Sequence, residues 1–409
     1  MKAGHLSEYF TGVAAKNLSA VEADFARSNQ HEFNGVGPLK KILGTQENKF
    51  PAKFIYLTDN DDQPVVAEGL LTWYDSRKNK RDKRSAEYRL YFSTTSVSEC
   101  AAQSDLLVIG RRPDGSLLVI IAESNSTIAS QVQWLFGLSD LSHPGFSVRA
   151  ELETDQDRIE FTSQFILENI GIVVETTEES HLDVMLREFD GNFPSTRIFS
   201  EFARSTLKGI NANDDPDAVI MAWMEREEIL FRTLERHLIG DHLKNGFKGD
   251  VDGFIGYSLS VQNRRKSRVG RAFENHLEKV LVDCGVKYSR NGLTENKNRV
   301  DFIFPGEREY QDKAFNSVQL TMLGVKSTCK DRWRQVLSEA DRISEKHLLT
   351  LEAAISIAQT NEMKAKHLQL VLPRSLYTTY NLTQQTWLMD VKSFINLVIE
   401  RQGNKKNIS

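Results

Sequence analysis

The run Val300-Asp301-Phe302-Ile303-Phe304 constrains this chain most, because it sets one carboxylate among four apolar residues of strand-forming type. Twenty-five residues after Asp301, Leu323-Gly324-Val325-Lys326 sets a lysine in a second apolar run. Helical periodicity flanks the pair. Val269, Phe273, Leu277, Val280, Leu281 and Cys284 recur at the spacing of one helix face within 267–284, and 334–348 reads as a further helix. With a strand at 368–372, the order helix–strand–strand–helix–strand predicts an α/β core with a mixed sheet.

The first part reads differently. Short runs at 54–57, 65–71, 88–93, 105–109 and 117–122 are rich in Val, Ile, Leu and aromatic residues, and turn residues separate them. Pro113-Asp114-Gly115 between two such runs is a hairpin signal. This spacing predicts a β-rich barrel or pseudobarrel. The chain's 409 residues, 40% hydrophobic, suffice for two cores. The acidic, polar stretch 179–192 is the expected linker between an N-terminal domain, 1–178, and a C-terminal domain, 193–409, with Ser195 as a helix N-cap.

Composition excludes some functions. Cys100, Cys284 and Cys329 are far apart, so neither a zinc site nor a disulfide framework is expected, and a reducing cytoplasm suits them. The first eight residues carry no apolar core of a secretory signal, and the apolar runs are strand-sized, short of a membrane span. Nine histidines form no HNH-like or HxH cluster. A net charge of −4 argues weakly against a nucleic-acid partner, but the basic residues are clustered.

Phosphodiester hydrolysis needs a divalent metal at the phosphate, a deprotonated water and a stabilised leaving oxygen. Magnesium takes carboxylate oxygens. An acid in one strand and a lysine in the next form the skeleton of the PD-(D/E)xK nucleases, which place a second acid two residues before the lysine. Gly324 stands there instead. Glu339, thirteen residues past Lys326 in the predicted helix, is the replacement, and Glu274 on the preceding helix is a further candidate to bind a second metal or orient the first. Asp105 with Glu123-Ser124-Asn125 imitates the pattern, but asparagine replaces the lysine, so that pair is read as structural.

The surrounding text resembles the EcoRII-like type II restriction endonucleases. Val325-Lys326-Ser327-Thr328-Cys329-Lys330-Asp331-Arg332-Trp333-Arg334-Gln335 carries the resemblance, with 260–270, Glu339-Ala340-Asp341 and Val371-Leu372-Pro373. It is dense from 256 to 380. It implies Asp301, Lys326 and Glu339 as the catalytic core with Glu274 assisting, and Asp301, Glu339 and Glu274 as ligands of Mg2+. It also implies base readout by Lys330, Asp331 and Arg332 at a short palindromic site bounded by CC and GG, CCWGG-like, with flipping of the central bases. The family often has a proline just before the aspartate, where this chain has Arg299-Val300. Arg264, Arg265, Lys266, Arg268 and Arg271, five basic residues within eight, are expected on the DNA backbone.

In the N-terminal part, 77–84 holds six basic residues and one acid. Starting from Tyr74-Asp75-Ser76-Arg77, it resembles the EcoRII-type effector domain, a pseudobarrel similar to plant B3 DNA-binding domains. The resemblance implies contacts to a second DNA copy by Lys78, Lys80, Asp82, Lys83, Arg84 and Arg89, with Gly35-Val36-Gly37 in the other recognition arm. It implies a type IIE enzyme: a bacterial, cytoplasmic homodimer in a restriction–modification system with a cognate DNA methyltransferase. The alternatives are a non-catalytic DNA-binding regulator and a structure-specific repair nuclease.

Overall fold

The computed structural model describes residues 2, 4–23, 31–60, 64–78, 85–138, 141, 145–174, 179–329 and 332–403. It divides into two compact units. The first takes in Met1–Val174 with Ala353–Gln359, and the second takes in Glu175–Glu352 with Thr360–Ser409.

The first unit is built on eight strands: β1 (Gly12–Asn17), β2 (Glu32–Phe33), β3 (Asn48–Leu57), β4 (Val65–Asp75), β5 (Tyr88–Phe92), β6 (Leu106–Arg111), β7 (Leu117–Ala122) and β8 (Ser147–Arg149). They form one sheet in the order β2-β5-β4-β3-β7-β6-β1-β8. Among the described residues of this sheet, only β3 and β7 pair in parallel. Period-2 geometry explains the unbroken apolar text of β6 and β7. Val108, Leu118 and Ile120 face a cluster with Phe10, while Leu107, Val119 and Ile121 face another with Trp73 and Leu90. Both faces are covered, so neither register is polar. The hairpin between them turns at Gly115, whose φ of +84° suits glycine. Helix α1 (Thr127–Leu135) covers one face, its Val132 and Leu135 in the Phe10 cluster, and Ser126 caps it by accepting from the Ala129 N–H.

The second unit holds a five-stranded mixed sheet, in the order β13-β12-β11-β10-β9, from β9 (Ser289–Leu293), β10 (Arg299–Phe304), β11 (Thr321–Lys326), β12 (Lys346–Thr350) and β13 (Leu368–Val371). β10 runs antiparallel to both its neighbours, β9 and β11, and β11, β12 and β13 run parallel. Its helices include α2 (Thr196–Ser205), capped by Ser195, α3 (Pro216–Asn245), α4 (Val251–Asp283), α5 (Trp333–Leu337) and α6 (Val391–Arg401). Asp215 and Asp250 cap α3 and α4 by accepting from the Ala218 and Gly253 N–H groups. Phe273, Leu277, Val280 and Leu281 form the buried face of α4.

Two expectations are corrected. Residues 179–192 are not a bare linker. Leu182–Glu188 is a helix whose Met185 is fully buried with Phe189, Phe199 and Phe202 and whose Leu182 and Leu186 pack against them, an apolar face inside an otherwise acidic stretch. Nor is 334–348 one helix. It ends at Leu337, Ala340 takes a φ of +53°, and the chain re-enters the sheet as β12.

Candidate active site

The antiparallel pairing of β10 and β11 sets Phe302 opposite Leu323 and so brings Asp301 beside the end of β11. The Asp301 Oδ2 accepts from the Lys326 Nζ at 2.9 Å and from the Val325 N–H at 2.7 Å. These two donors fix the carboxylate plane. Both side chains of the ion pair keep partial exposure, 17% for Asp301 and 23% for Lys326, so the pair opens to solvent at the strand ends.

Gly324 shares its strand face with Lys326. A Cβ there would lie 2.9 Å from the Val336 Cγ2 of α5. Helix α5 packs where a carboxylate at 324 would have to stand. The replacement comes from that same segment. Glu339 lies two residues past α5, not in a helix as expected. Burial lifts its carboxyl to about 7, and the negative charge of Asp301 pushes the same way against Lys326 and Lys346. Two carboxylates thus share a half-dry site whose charge a cation would relieve.

Glu274, on α4, is held by Arg290 of β9 at 2.7 Å, and the same guanidinium binds Glu278 at 2.8 Å. Among the described residues, no group of three or more His, Cys, Asp or Glu converges as a metal cage. Arg290, Lys346 and Asn298 were not singled out from the sequence. A single polar residue in or beside a strand carries no signal of which carboxylate or carbonyl it will meet.

Of the base-readout residues, Lys330 and Asp331 lie outside the described residues, and Arg332 is exposed at the start of α5. The basic run on α4 divides. Lys266 and Arg271 are exposed. Arg264 lies over the Phe193 ring at 4.2 Å, and Arg265 pairs with Glu235 at 2.6 Å. The expectation for Arg268 is corrected. It is 5% exposed and ion-paired to Glu227 and Glu228 of α3, so its charge is spent inside the helix pair.

In the first unit, Lys80, Asp82, Lys83 and Arg84 lie outside the described residues. Lys78 pairs with Glu47 at 2.6 Å, and Arg89 pairs with Glu32 at 2.7 Å. Gly35-Val36-Gly37 line a cleft of about 470 Å³ with Lys40, Arg77 and Arg89. A buried pair steadies this arm: Glu22 accepts from Lys16 at 2.8 Å and from the Asn34 N–H at 2.6 Å. The imitation site is structural, for Asp105 is buried and accepts from the Ala102 and Ser124 N–H groups.

An acid and a lysine on adjacent strands of a mixed sheet flanked by helices define the restriction-endonuclease-like, PD-(D/E)xK class. Within that class the match is specific: residues 231–395 match the family described as EcoRII C terminal. The chain is 36% identical over 226 residues to the type II restriction enzyme EcoRII of Escherichia coli, covering 55% of each. It is 30% identical over 112 residues to the type II restriction enzyme SsoII of Shigella sonnei, covering 24% of this chain and 36% of that one. It therefore spans about half or less of the curated relatives it matches. Among solved structures, metal-depleted Ecl18kI in complex with uncleaved DNA is similar over 56% of this chain and 85% of its own, with 19% identity and a TM-score of 0.44. A PspGI–substrate DNA complex is similar over 52% and 94%, with 16% identity and a TM-score of 0.44.

Proposed function

We propose that the chain is a type II site-specific deoxyribonuclease that hydrolyses both strands of a short palindromic, CC/GG-bounded DNA site. The observation that carries this reading is the Lys326–Asp301 contact of 2.9 Å with Glu339 beside it, on a segment that matches the EcoRII C-terminal family.

The donor set fits Mg2+. Magnesium is commonly held by one or two carboxylates with water and substrate phosphate completing the shell, so Asp301 and Glu339 suffice without a closed protein cage. When bound, the ion would supply charge at the phosphate and a lower pKa for water. The chain's own groups do the rest. Asp301 is held in one orientation by the Val325 N–H and Lys326. The Lys326 ammonium offsets phosphate charge and orients the attacking water. Without a cation the Glu339 carboxyl, lifted to about 7, is partly protonated near neutrality, and it must be ionised to act as a ligand. Water adds to phosphorus as the P–O3′ bond breaks, and the departing 3′ oxygen takes up a proton. The products are 5′-phosphate and 3′-hydroxyl ends. Glu274, paired to Arg290, orients the surrounding groups in this scheme.

Lys330, Asp331 and Arg332 read bases, while Lys266 and Arg271 meet phosphates. The first unit, as a B3-like pseudobarrel, takes a second DNA copy on Arg77, Lys78 and Arg89 and activates the enzyme. A homodimer follows from one such domain reading each half-site. The protein works in the bacterial cytoplasm beside a cognate methyltransferase. No helix among the described residues is long and apolar enough to cross a membrane.

The test is plasmid cleavage in Mg2+ by wild type and Lys326→Ala. Discrete fragments from the wild type, with common CC/GG ends and none from the variant, are expected. Intact plasmid that is bound but never cut would overturn the reading.

A further inference from the structure

Glu339 stands on a turn that no regular element holds. Helix α5 has ended at Leu337, Ala340 is in the left-handed region at φ +53°, and the Ile343 N–H closes back on the Ala340 carbonyl at 2.9 Å. Such a turn, directly after a helix C-terminus, gathers carbonyl oxygens with few backbone donors to meet them. One side chain meets three. The Lys346 Nζ, reaching back from the first residue of β12, donates to the carbonyls of Glu339, Ala340 at 3.0 Å and Ile343 at 3.3 Å. Lys346 is 8% exposed. An ammonium has three donors, and here all three are spent on one turn.

Two further ties come from the segment that leads into β10. The Asn298 Nδ2 donates to the Ser338 carbonyl at 3.0 Å, and the Glu295 Oε2 accepts from the Asp341 N–H at 3.2 Å. The turn carrying Glu339 is therefore fastened both to the approach to Asp301 and to the strand beside Lys326. We infer that Lys346 is a positioning residue that places the Glu339 carboxylate at the cation site beside Asp301. This rests on the reading of Asp301 and Glu339 as cation ligands. Lys346 touches neither substrate nor cation. Its effect passes through the three carbonyls to the backbone of Glu339.

Outer partners of metal ligands typically change metal affinity by 10–100-fold. The experiment titrates the full chain, without DNA, with Mn2+ alone in a calorimeter, comparing wild type, Lys346→Met and Glu339→Gln. Methionine keeps the stem length and loses the donors. The Mn2+ dissociation constant of Lys346→Met is expected to rise about tenfold or more, and cleavage at saturating Mn2+ is expected to recover most of the wild-type rate. A dissociation constant within about twofold of wild type would overturn the inference. Should Lys346→Met fail to fold, Asn298→Ala releases the same turn more gently and is expected to weaken Mn2+ several-fold; no change there overturns the inference equally. If Glu339→Gln binds Mn2+ as the wild type does, the ligand reading itself fails and takes the positioning role with it.

Discussion

Glu339, the proposed cation ligand, has its carboxyl lifted to about 7, and the proposed role and the shift are linked. Its folded value lies above the ordinary 4.5, so the folded, cation-free protein holds this proton more tightly than the unfolded chain does. The stability it contributes is therefore complete below about 4.5 and is lost as pH rises through about 7. In EDTA, the melting temperature of the wild type should fall between pH ~5 and ~8 more steeply than that of Glu339→Gln, which carries no titrating group there. Saturating Mg2+ should remove most of this difference by stabilising the carboxylate. Equal pH profiles for the two proteins in EDTA would refute the assignment. At the same scale, Lys326→Ala should lower cleavage by several orders of magnitude and leave binding of the site in EDTA within a few-fold of wild type, because phosphate contacts supply most of the affinity.

At the scale of elements, Gly324 and helix α5 account for each other. With Val336 2.9 Å from where its Cβ would stand, the strand position that ordinarily carries the second acid is filled by the helix. Gly324→Asp combined with Glu339→Gln should therefore remain inactive and lose about 1–3 kcal/mol of stability from overpacking. Recovery of cleavage in that double variant would show that the strand position was open after all. The helix pair α3–α4 makes a second such case. Arg268→Ala removes the cation that the buried Glu227 and Glu228 share, leaving Glu228 to Arg232 at 2.6 Å and Glu227 to His276 at 2.9 Å, a loss of up to about 3 kcal/mol in thermal or denaturant unfolding. Lys266→Ala and Arg271→Ala should instead spare stability and each reduce the salt dependence of DNA binding by about one ion. How far this was legible follows from periodicity. Asp301 and Lys326 stand in short apolar runs of strand length, and the strands fall where those runs predict. The stretch 334–348 spaces Val336, Leu337, Ala340 and Ile343 as a helix would, so the turn at Ala340 was invisible, and with it the clasp from Lys346. Residues 182–188 hold Leu182, Val184, Met185 and Leu186, but the acidic residues before and among them masked the helix.

The whole molecule carries a net charge of −4, so a polyanion can be bound only where cations are concentrated and their acidic partners yield. The cleft of the first unit shows the second condition plainly. Arg89 is shared by Glu32 at 2.7 Å and Glu87 at 3.4 Å, and Arg77 also pairs with Glu87. A DNA phosphate entering there competes with those carboxylates for the same guanidinium groups. Replacing Glu32 and Glu87 by glutamine removes the competitors and brings the net charge from −4 to −2, since two acids become neutral. In the cleavage-deficient Lys326→Ala background this double substitution should tighten binding of a second, short duplex several-fold at low salt, measured by fluorescence anisotropy. The gain should shrink with rising salt, because the competition is electrostatic. With Lys326 intact, the same change should lower the concentration of added duplex needed to stimulate cutting of a plasmid bearing one site. Unchanged duplex affinity and unchanged stimulation would remove this cleft from effector binding and leave its ion pairs as supports for the arm at 33–37.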